Sequence, residues 1–294
     1  MSGIAVEVTD ITKRYGPTIA LEDVTLSVGR GSVYGLVGPN GAGKTTLLGI
    51  LSGLRRPTSG SFAVNGDRVG VLPDTPSFDP WLTASEVVDL ARVLSAPAVP
   101  HSAVGAVLER AGLSDVSRRR VGGFSRGMLQ RLGLAAAVVG EPDVLLLDEP
   151  AAALDPAGRR EVLDMVAALR GSSTVVFSSH ILDDVQQVCD TVGILKQGAI
   201  AYEGTLGDLV RNAGHDAVYE VRFRGDGAPL AEILNAEGWV TTVAVGEGHL
   251  AVSAASPAVI ERELMRCLAR AQVPIISVAP IERSLEDVFL EVTR

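Results

Sequence analysis

The residues with the clearest chemistry lie in GPNGAGKTT: Gly38, Pro39, Asn40, Gly41, Ala42, Gly43, Lys44, Thr45 and Thr46. The run satisfies the phosphate-loop pattern G-x-x-x-x-G-K-[ST]. Its glycines let backbone N–H groups approach phosphate oxygens, the Lys44 ammonium neutralises β- and γ-phosphates, and the Thr45 hydroxyl can hold Mg2+. A second cluster, VLLLDEP at 144–150, delivers Asp148 and Glu149 at the end of an apolar run. Alone, two such acids usually sit at a helix N-terminus. Beside a phosphate loop, Asp148 suits the Mg2+ shell and Glu149 suits a general base that polarises water. FSSH, 177–180, ends the next apolar run and places His180 where it could read a γ-phosphate or orient Glu149.

The expected base is adenine. A guanine site calls for N-K-x-D, and the three lysines, Lys13, Lys44 and Lys196, stand in no such setting. Tyr15, in KRYG, suits stacking on a purine and equally suits plain packing. A further anion-binding feature is GGFSRGMLQRLGLAAAVVG, 122–140, a helix start with Ser125 as N-cap and free N–H groups at the positive end of a helix dipole.

The elements that must position these groups follow from hydrophobic period. Short apolar runs alternate with helix-period segments to about residue 210, the pattern of an α/β domain with a largely parallel sheet. AVEVTDITKRY and ALEDVTLSV alternate in polarity and suit an antiparallel flap. Gly31–Val37 is a buried strand entering the glycine loop, and Lys44–Leu54 is the helix after it. SFAVNGDRVGVL reads as two strands around an Asn65-Gly66 turn. Thr83 and Glu86 form a capping box that opens a helical insertion reaching about Arg118. Then come the Ser125 helix to Gly140, a strand at Val144–Leu147, a helix at Asp155–Arg170, a strand at Thr174–Ser178 and a helix at Ile181–Cys189. Beyond a change in composition near 212–217 the order is strand, helix, two strands, helix, strand, a βαββαβ ferredoxin-like pattern closed by a short helix, SLEDVFL.

Composition limits the partners. The 294 residues are 47% hydrophobic with a net charge of -9, which argues against nucleic acid, since phosphate-backbone binding needs a basic face. The apolar run Leu132–Gly140 falls short of the ~20 residues that span a bilayer. The start, MSGIAVEVTD, lacks the basic region of a signal peptide, so a cytoplasmic protein is expected. Cys189 and Cys267 have no paired spacing and read as idle thiols, and His101, His180, His215 and His249 show no metal-ligand spacing.

Taken in order, Tyr15, GPNGAGKTT, FSRGM (124–128, where the family usually reads LSGGQ), VLLLDEP, ALDP (153–156) and His180 resemble the nucleotide-binding subunit of ATP-binding cassette transporters. The end of the chain, SLEDVFLEVT, resembles the extension on cassettes that pair with separate multi-helix membrane exporters. The resemblance implies a P-loop NTPase cassette with an antiparallel β flap and a helical insertion at about 80–140, over residues 1–213. A small α+β accessory domain then covers 214–294. It implies ATP and Mg2+ as cofactors, and ATP hydrolysis that powers transport, with export as its direction. The implied partners are a second copy in a head-to-tail dimer and separate transmembrane permease subunits, which would hold the chain on the inner face of the cell membrane.

Carried residue by residue, the resemblance makes Ser125, Arg126, Gly127 and Met128 the signature. Ser125 and Gly127 would contact the partner's γ-phosphate, and Asp155 would link the two subunits. Ser125 also suits an ordinary cap, worth ~1 kcal/mol, and the two roles are compatible. Two residues depart from the pattern. Arg126 replaces a glycine, either reinforcing the phosphate clamp or pointing to solvent. Asp74, in GVLPD, stands where a glutamine senses Mg2+; a carboxylate can accept from metal-bound water but cannot donate an amide hydrogen bond. FDPWL, 78–82, suits a groove for a cytoplasmic permease helix, with Trp81 as groove residue or core anchor. Two competing classes remain: a soluble cassette ATPase with no transporter, whose translation and DNA-repair types carry tandem cassettes or long coiled coils, and a regulatory module without hydrolysis. This chain has neither tandem cassettes nor coiled coils, and intact Lys44, Asp148, Glu149 and His180 disfavour the second class.

Overall fold

A computed structural model describes residues 3–152, 154–212 and 217–280. The chain divides into two compact units, with the boundary between Leu206 and Gly207.

The first unit opens with β1 (Ile4–Tyr15) and β2 (Thr18–Gly29), then β3 (Val33–Val37), α1 (Lys44–Leu51), β4 (Ser59–Val64) and β5 (Val69–Leu72). Next are α2 (Ala84–Ser95), α3 (Ser102–Arg110), α4 (Arg126–Val138), β6 (Val144–Leu147), α5 (Pro156–Ala167), β7 (Thr174–Ser179) and α6 (Leu182–Val188). β8 (Thr191–Lys196) and β9 (Ala199–Gly204) complete this unit, and α7 (Leu206–Asn212) begins at the boundary and continues into the second. The central sheet runs β5-β6-β7-β3-β8-β9, parallel except for β9. Every residue of β3, β6 and β7 is buried, so these strands show no polar alternation: covered on both faces, β6 is apolar throughout and β7 carries an apolar centre, Val175–Phe177, between buried hydroxyl residues. The antiparallel sheet β2-β1-β4 is the flap, whose inward residues Val6, Val8, Leu21 and Leu26 share one core with Leu36, Leu47, Leu146 and Val176.

Two sequence expectations change here. The strands flanking Asn65-Gly66 both form, but they do not pair. β4 joins β1 in the flap, whereas β5 joins β6 in the central sheet. The Asp143 carboxylate decides this, accepting from the N–H groups of Asp67 and Arg68 at 2.9 and 3.0 Å and pinning the chain beside the start of β6. The segment β8–β9–α7 lies where the sequence reading assigned no element. β8 supplies the parallel neighbour on the far side of β3, and β9 caps the sheet edge. Glu203 of β9 accepts from Ser27 N–H and from the buried Tyr34 hydroxyl, tying flap to sheet. Burial and that carboxylate raise the Tyr34 pKa well above the ordinary phenol value.

The second unit contains β10 (Ala217–Phe223), α8 (Ala228–Asn235), β11 (Val240–Gly246), β12 (His249–Ala254), α9 (Pro257–Ala271) and β13 (Ile275–Pro280). The strands order as β11-β12-β10-β13, all antiparallel, the ferredoxin-like arrangement. Val221, Leu250 and Val252 of the sheet pack with Leu230, Leu234, Ile260, Leu264 and Leu268 of the helices in a separate core. The expected helix SLEDVFL lies outside the described residues.

Candidate active site

The glycine loop connects β3 to α1. Gly38 approaches the Leu195 carbonyl so closely that a side chain would run into it. Gly43, at the N-cap of α1, takes φ +111°, which only glycine adopts without strain. With no side-chain cap and no acid in its first turn, α1 offers its N–H groups to an anion. Lys44 is 5% exposed and donates to Gly38 O at 2.7 Å and Pro39 O at 3.2 Å, so its own loop holds the ammonium in place. Its third neighbour is Glu149 Oε1 at 3.3 Å.

The acids arrive on β6. That strand pairs in parallel with β7 up to Leu147 and Phe177, after which side chains take over from the ladder. Asp148 is 5% exposed, and its Oδ1 accepts from Ser178 Oγ at 2.6 Å. Glu149 takes φ +48°, a left-handed conformation that costs a non-glycine residue on the order of 1–2 kcal/mol. Its N–H donates to Ser178 Oγ at 2.9 Å, Gln130 Nε2 of α4 faces its carbonyl at 3.4 Å, and its Oε2 lies 2.8 Å from His180 Nδ1. Ser178 and Gln130 thus join the site without a mark in the sequence. Ser178 sits in FSSH and Gln130 follows FSRGM, yet nothing in residue type marks either as facing the acids.

Lys44, Thr45, Thr46, Asp74, Glu149 and His180 converge on one cavity of about 450 Å3, whose wall includes Asn40, Gly41 and Gly43. Asp74 is exposed just past β5, with the Thr75 hydroxyl 3.4 Å from its Oδ2. Gly38, Pro39, Ala42 and Asp148 do not line this cavity, and three further groups of expected residues lie outside it. Tyr15 is 45% exposed at the end of β1, with the Lys13 ammonium 4.9 Å over its ring and Arg55 donating to its hydroxyl at 2.8 Å. Ser125 caps α4, accepting from Met128 N–H at 3.3 Å; Arg126 beside it is exposed and has no ion pair or hydrogen bond among the described residues. Asp155 is exposed at the N-cap of α5 without a side-chain cap bond.

The helical insertion begins as the capping box implies: Thr83 caps α2 and Glu86 returns the bond. Trp81 is 63% exposed, which removes the core-anchor alternative. Beside it, Phe78, Leu82, Val87, Leu90 and Leu94 line an open groove of about 550 Å3. Both cysteines are free, and burial pushes the Cys189 thiol far above its ordinary value, so it is no nucleophile. No helix of the described residues is long and apolar enough to cross a membrane.

The chain is similar to known proteins. The family model described as ABC transporter matches residues 21–152. The bacitracin transport ATP-binding protein BcrA of Enterococcus faecalis is 33% identical over 97% of this chain and 94% of its own length. The daunorubicin resistance ATP-binding protein DrrA3 of Streptomyces coeruleorubidus is 34% identical over 100% of this chain and 97% of its own. A solved structure of the ATP binding subunit of an ABC transporter superposes with a TM-score of 0.65 at 30% identity, covering 71% of this chain and 92% of that one.

Proposed function

The chain belongs to the ABC transporter family as an ATP-binding subunit, and on that premise we propose that it hydrolyses ATP to drive export through separate permease subunits. The family's cassettes are ATPases. The observation that carries the hydrolytic reading is the Glu149 carboxylate, held between Lys44 at 3.3 Å and His180 at 2.8 Å in the wall of the phosphate-loop cavity. In this reading Lys44 and the loop N–H groups bind the β- and γ-phosphates, Glu149 accepts a proton from the attacking water, and His180 orients Glu149. An incoming γ-phosphate competes with Glu149 for Lys44, which frees the carboxylate to face water.

The donor set fits Mg2+. Among the described residues no three His, Cys, Asp or Glu side chains form a group able to hold a metal alone. Mg2+ prefers few protein ligands plus water and substrate phosphate, all hard oxygens. Thr45 and Asp148 would supply these, and Asp148 Oδ2 accepts nothing from the described residues. Asp74 would accept from a metal-bound water. When bound, Mg2+ neutralises phosphate charge in the transition state.

We assign residues 1–213 to the ATP-binding cassette and 214–294 to an accessory domain. The Ser125–Met128 helix start lies outside the cavity of its own subunit, which supports a head-to-tail dimer whose partner supplies the second phosphate. The exposed Trp81 and the apolar groove beside it suit docking of a permease helix, which would place the chain peripherally on the cytoplasmic face of the membrane. Similarity over nearly the whole chain to proteins named for bacitracin transport and daunorubicin resistance supports the export reading. Phosphate release from MgATP by the purified chain tests the core of the proposal. Turnover that falls about 10²–10⁴-fold in Glu149→Gln is expected; parental turnover no higher than that of Lys44→Ala would overturn it.

A further inference from the structure

The hydroxyl of Ser178 bridges the two acids. Its Oγ lies 2.6 Å from Asp148 Oδ1 and 2.9 Å from Glu149 N, and the residue is wholly buried. The direction of each bond is fixed. An amide N–H can only donate, so Oγ accepts from Glu149 and its single proton goes to Asp148. One rotor therefore sets both the rotamer of Asp148, turning Oδ2 away from Ser178, and the main-chain entry into Glu149, the residue at φ +48°.

The position of Ser178 in the sheet gives this bridge a reference frame. The β6–β7 ladder stops at Leu147 and Phe177, so the next pair in register is Asp148 and Ser178, joined by side chain where the main-chain bonds end. On its other side β7 pairs with β3 through Leu36–Ser178 and Val37–Ser179, and Gly38 N–H donates to Ser179 O at 3.3 Å. Ser178 thus ties the acids to the strand that delivers the phosphate loop. Its neighbours face other tasks: Ser179 Oγ donates toward Asp184, and His180 meets the Glu149 side chain.

We infer that Ser178 is a positioning residue for hydrolysis, holding Asp148 in the rotamer that presents Oδ2 to a divalent cation and holding Glu149 in its left-handed conformation. The inference rests on the ATPase reading above and adds a residue to it. It concerns geometry, so its signature is a split between turnover and binding. Removing a group that orients a metal-site carboxylate typically costs 10–100-fold.

The test compares the full chain with Ser178→Ala and Ser178→Thr, measuring steady-state ATP turnover and, by calorimetry, ATP affinity with Mg2+ and with EDTA. The expected Ser178→Ala result is a kcat lower by roughly 10–100-fold. ATP affinity in EDTA should stay within about threefold, and most of the gain in affinity that Mg2+ confers should disappear. Ser178→Thr, which retains a hydroxyl, should recover both. Should the alanine variant not fold, Ser178→Cys keeps the size, weakens both bonds, and is judged by the same criteria. A kcat within about twofold of the parent with the Mg2+ gain intact overturns the inference, as does a loss of EDTA-condition affinity equal to the loss of kcat. A parent that binds ATP but never turns it over defeats the ATPase reading instead, and the Mg2+ arm still decides whether Ser178 orients Asp148.

Discussion

His180 Nδ1 stands 2.8 Å from Glu149 Oε2, while the other oxygen of that carboxylate lies 3.3 Å from Lys44 Nζ. The imidazole comes from the end of β7, the carboxylate from the residue after Asp148 beyond β6, and the ammonium from the start of α1. Glu149 is 13% exposed and His180 39%, so the imidazole is the outer partner of the pair. His180→Ala should leave Glu149 tethered to Lys44 alone, lowering kcat by about 10²-fold or more, in the range of a positioned acid–base partner. ATP affinity should change little. Parallel titration and phosphate-release assays check this, and equal losses of affinity and kcat would show that His180 binds nucleotide instead.

Lys44 lines the cavity and Ser125 does not, so a head-to-tail dimer can separate the two in one experiment. Lys44→Ala and Ser125→Ala subunits should each be inactive alone. Mixed, they form heterodimers with one intact and one doubly broken site, and activity should return toward half the parental value per heterodimer. Absence of recovery in a mixture shown by mass to contain heterodimers would exclude a shared site.

Arg126 occupies the first position of α4, whose first turn has no acid. A cation near a helix N-terminus opposes the dipole by about 0.3–1 kcal/mol, and no carboxylate relieves it here. Arg126→Ala should therefore raise the stability of the nucleotide-free subunit by that amount in urea melts. If the side chain meets a partner's phosphate, the same change should weaken ATP-driven dimerisation; an unchanged dimerisation constant would leave Arg126 a solvated surface residue.

The start of α2 predicts a response to acid. Thr83 N–H donates to Glu86 Oε2 at 2.7 Å and its hydroxyl does so at 2.8 Å, holding the carboxyl below its ordinary value. A depressed folded-state pKa contributes stability that is complete above the ordinary glutamate value and is lost as pH falls through the folded one. The melting-temperature gap between the parent and Glu86→Gln should accordingly be largest near neutrality and close in acid. A gap independent of pH would show that shape, not charge, matters at this cap.

Trp81 and Leu94 are 63% and 77% exposed beside the apolar groove. Exposed positions contribute little to folding, so Trp81→Ala should leave the melting temperature of the purified chain within a few degrees. If a permease helix docks in this groove, co-purification with the permease and permease-stimulated ATP turnover should drop severalfold. Full coupling in the variant would remove this surface from the docking interface.

Much of the fold was legible because the local signals were strong. Three short runs without polar alternation gave β3, β6 and β7 to within two residues at their starts and one at their ends, and the alternating segments of 218–278 gave the order of the ferredoxin-like unit. Helix ends were less legible: α1 stops at Leu51 rather than Leu54, since Gly53 turns the chain at φ +76°. The pairing of β4 and β5 was not legible at all. Asn65-Gly66 has the composition of a hairpin turn, and the carboxylate that sends the two strands to different sheets, Asp143, lies more than seventy residues away.

The sequence by itself determined the candidates, GPNGAGKTT, Asp148, Glu149 and His180, because each is a residue type at a fixed spacing from a strand end, and strand ends are written in local hydrophobicity. Only the tertiary structure decided that Lys44, Asp74, Glu149 and His180 share one cavity while Ser125 and Asp155 stand outside it. It also decided that a buried serine hydroxyl, rather than the main-chain ladder, joins the two acids to the strand of the phosphate loop. The physical reason is that parallel pairing brings together strand ends that are remote along the chain. Which hydroxyl meets which carboxylate is therefore set by register and order in the sheet.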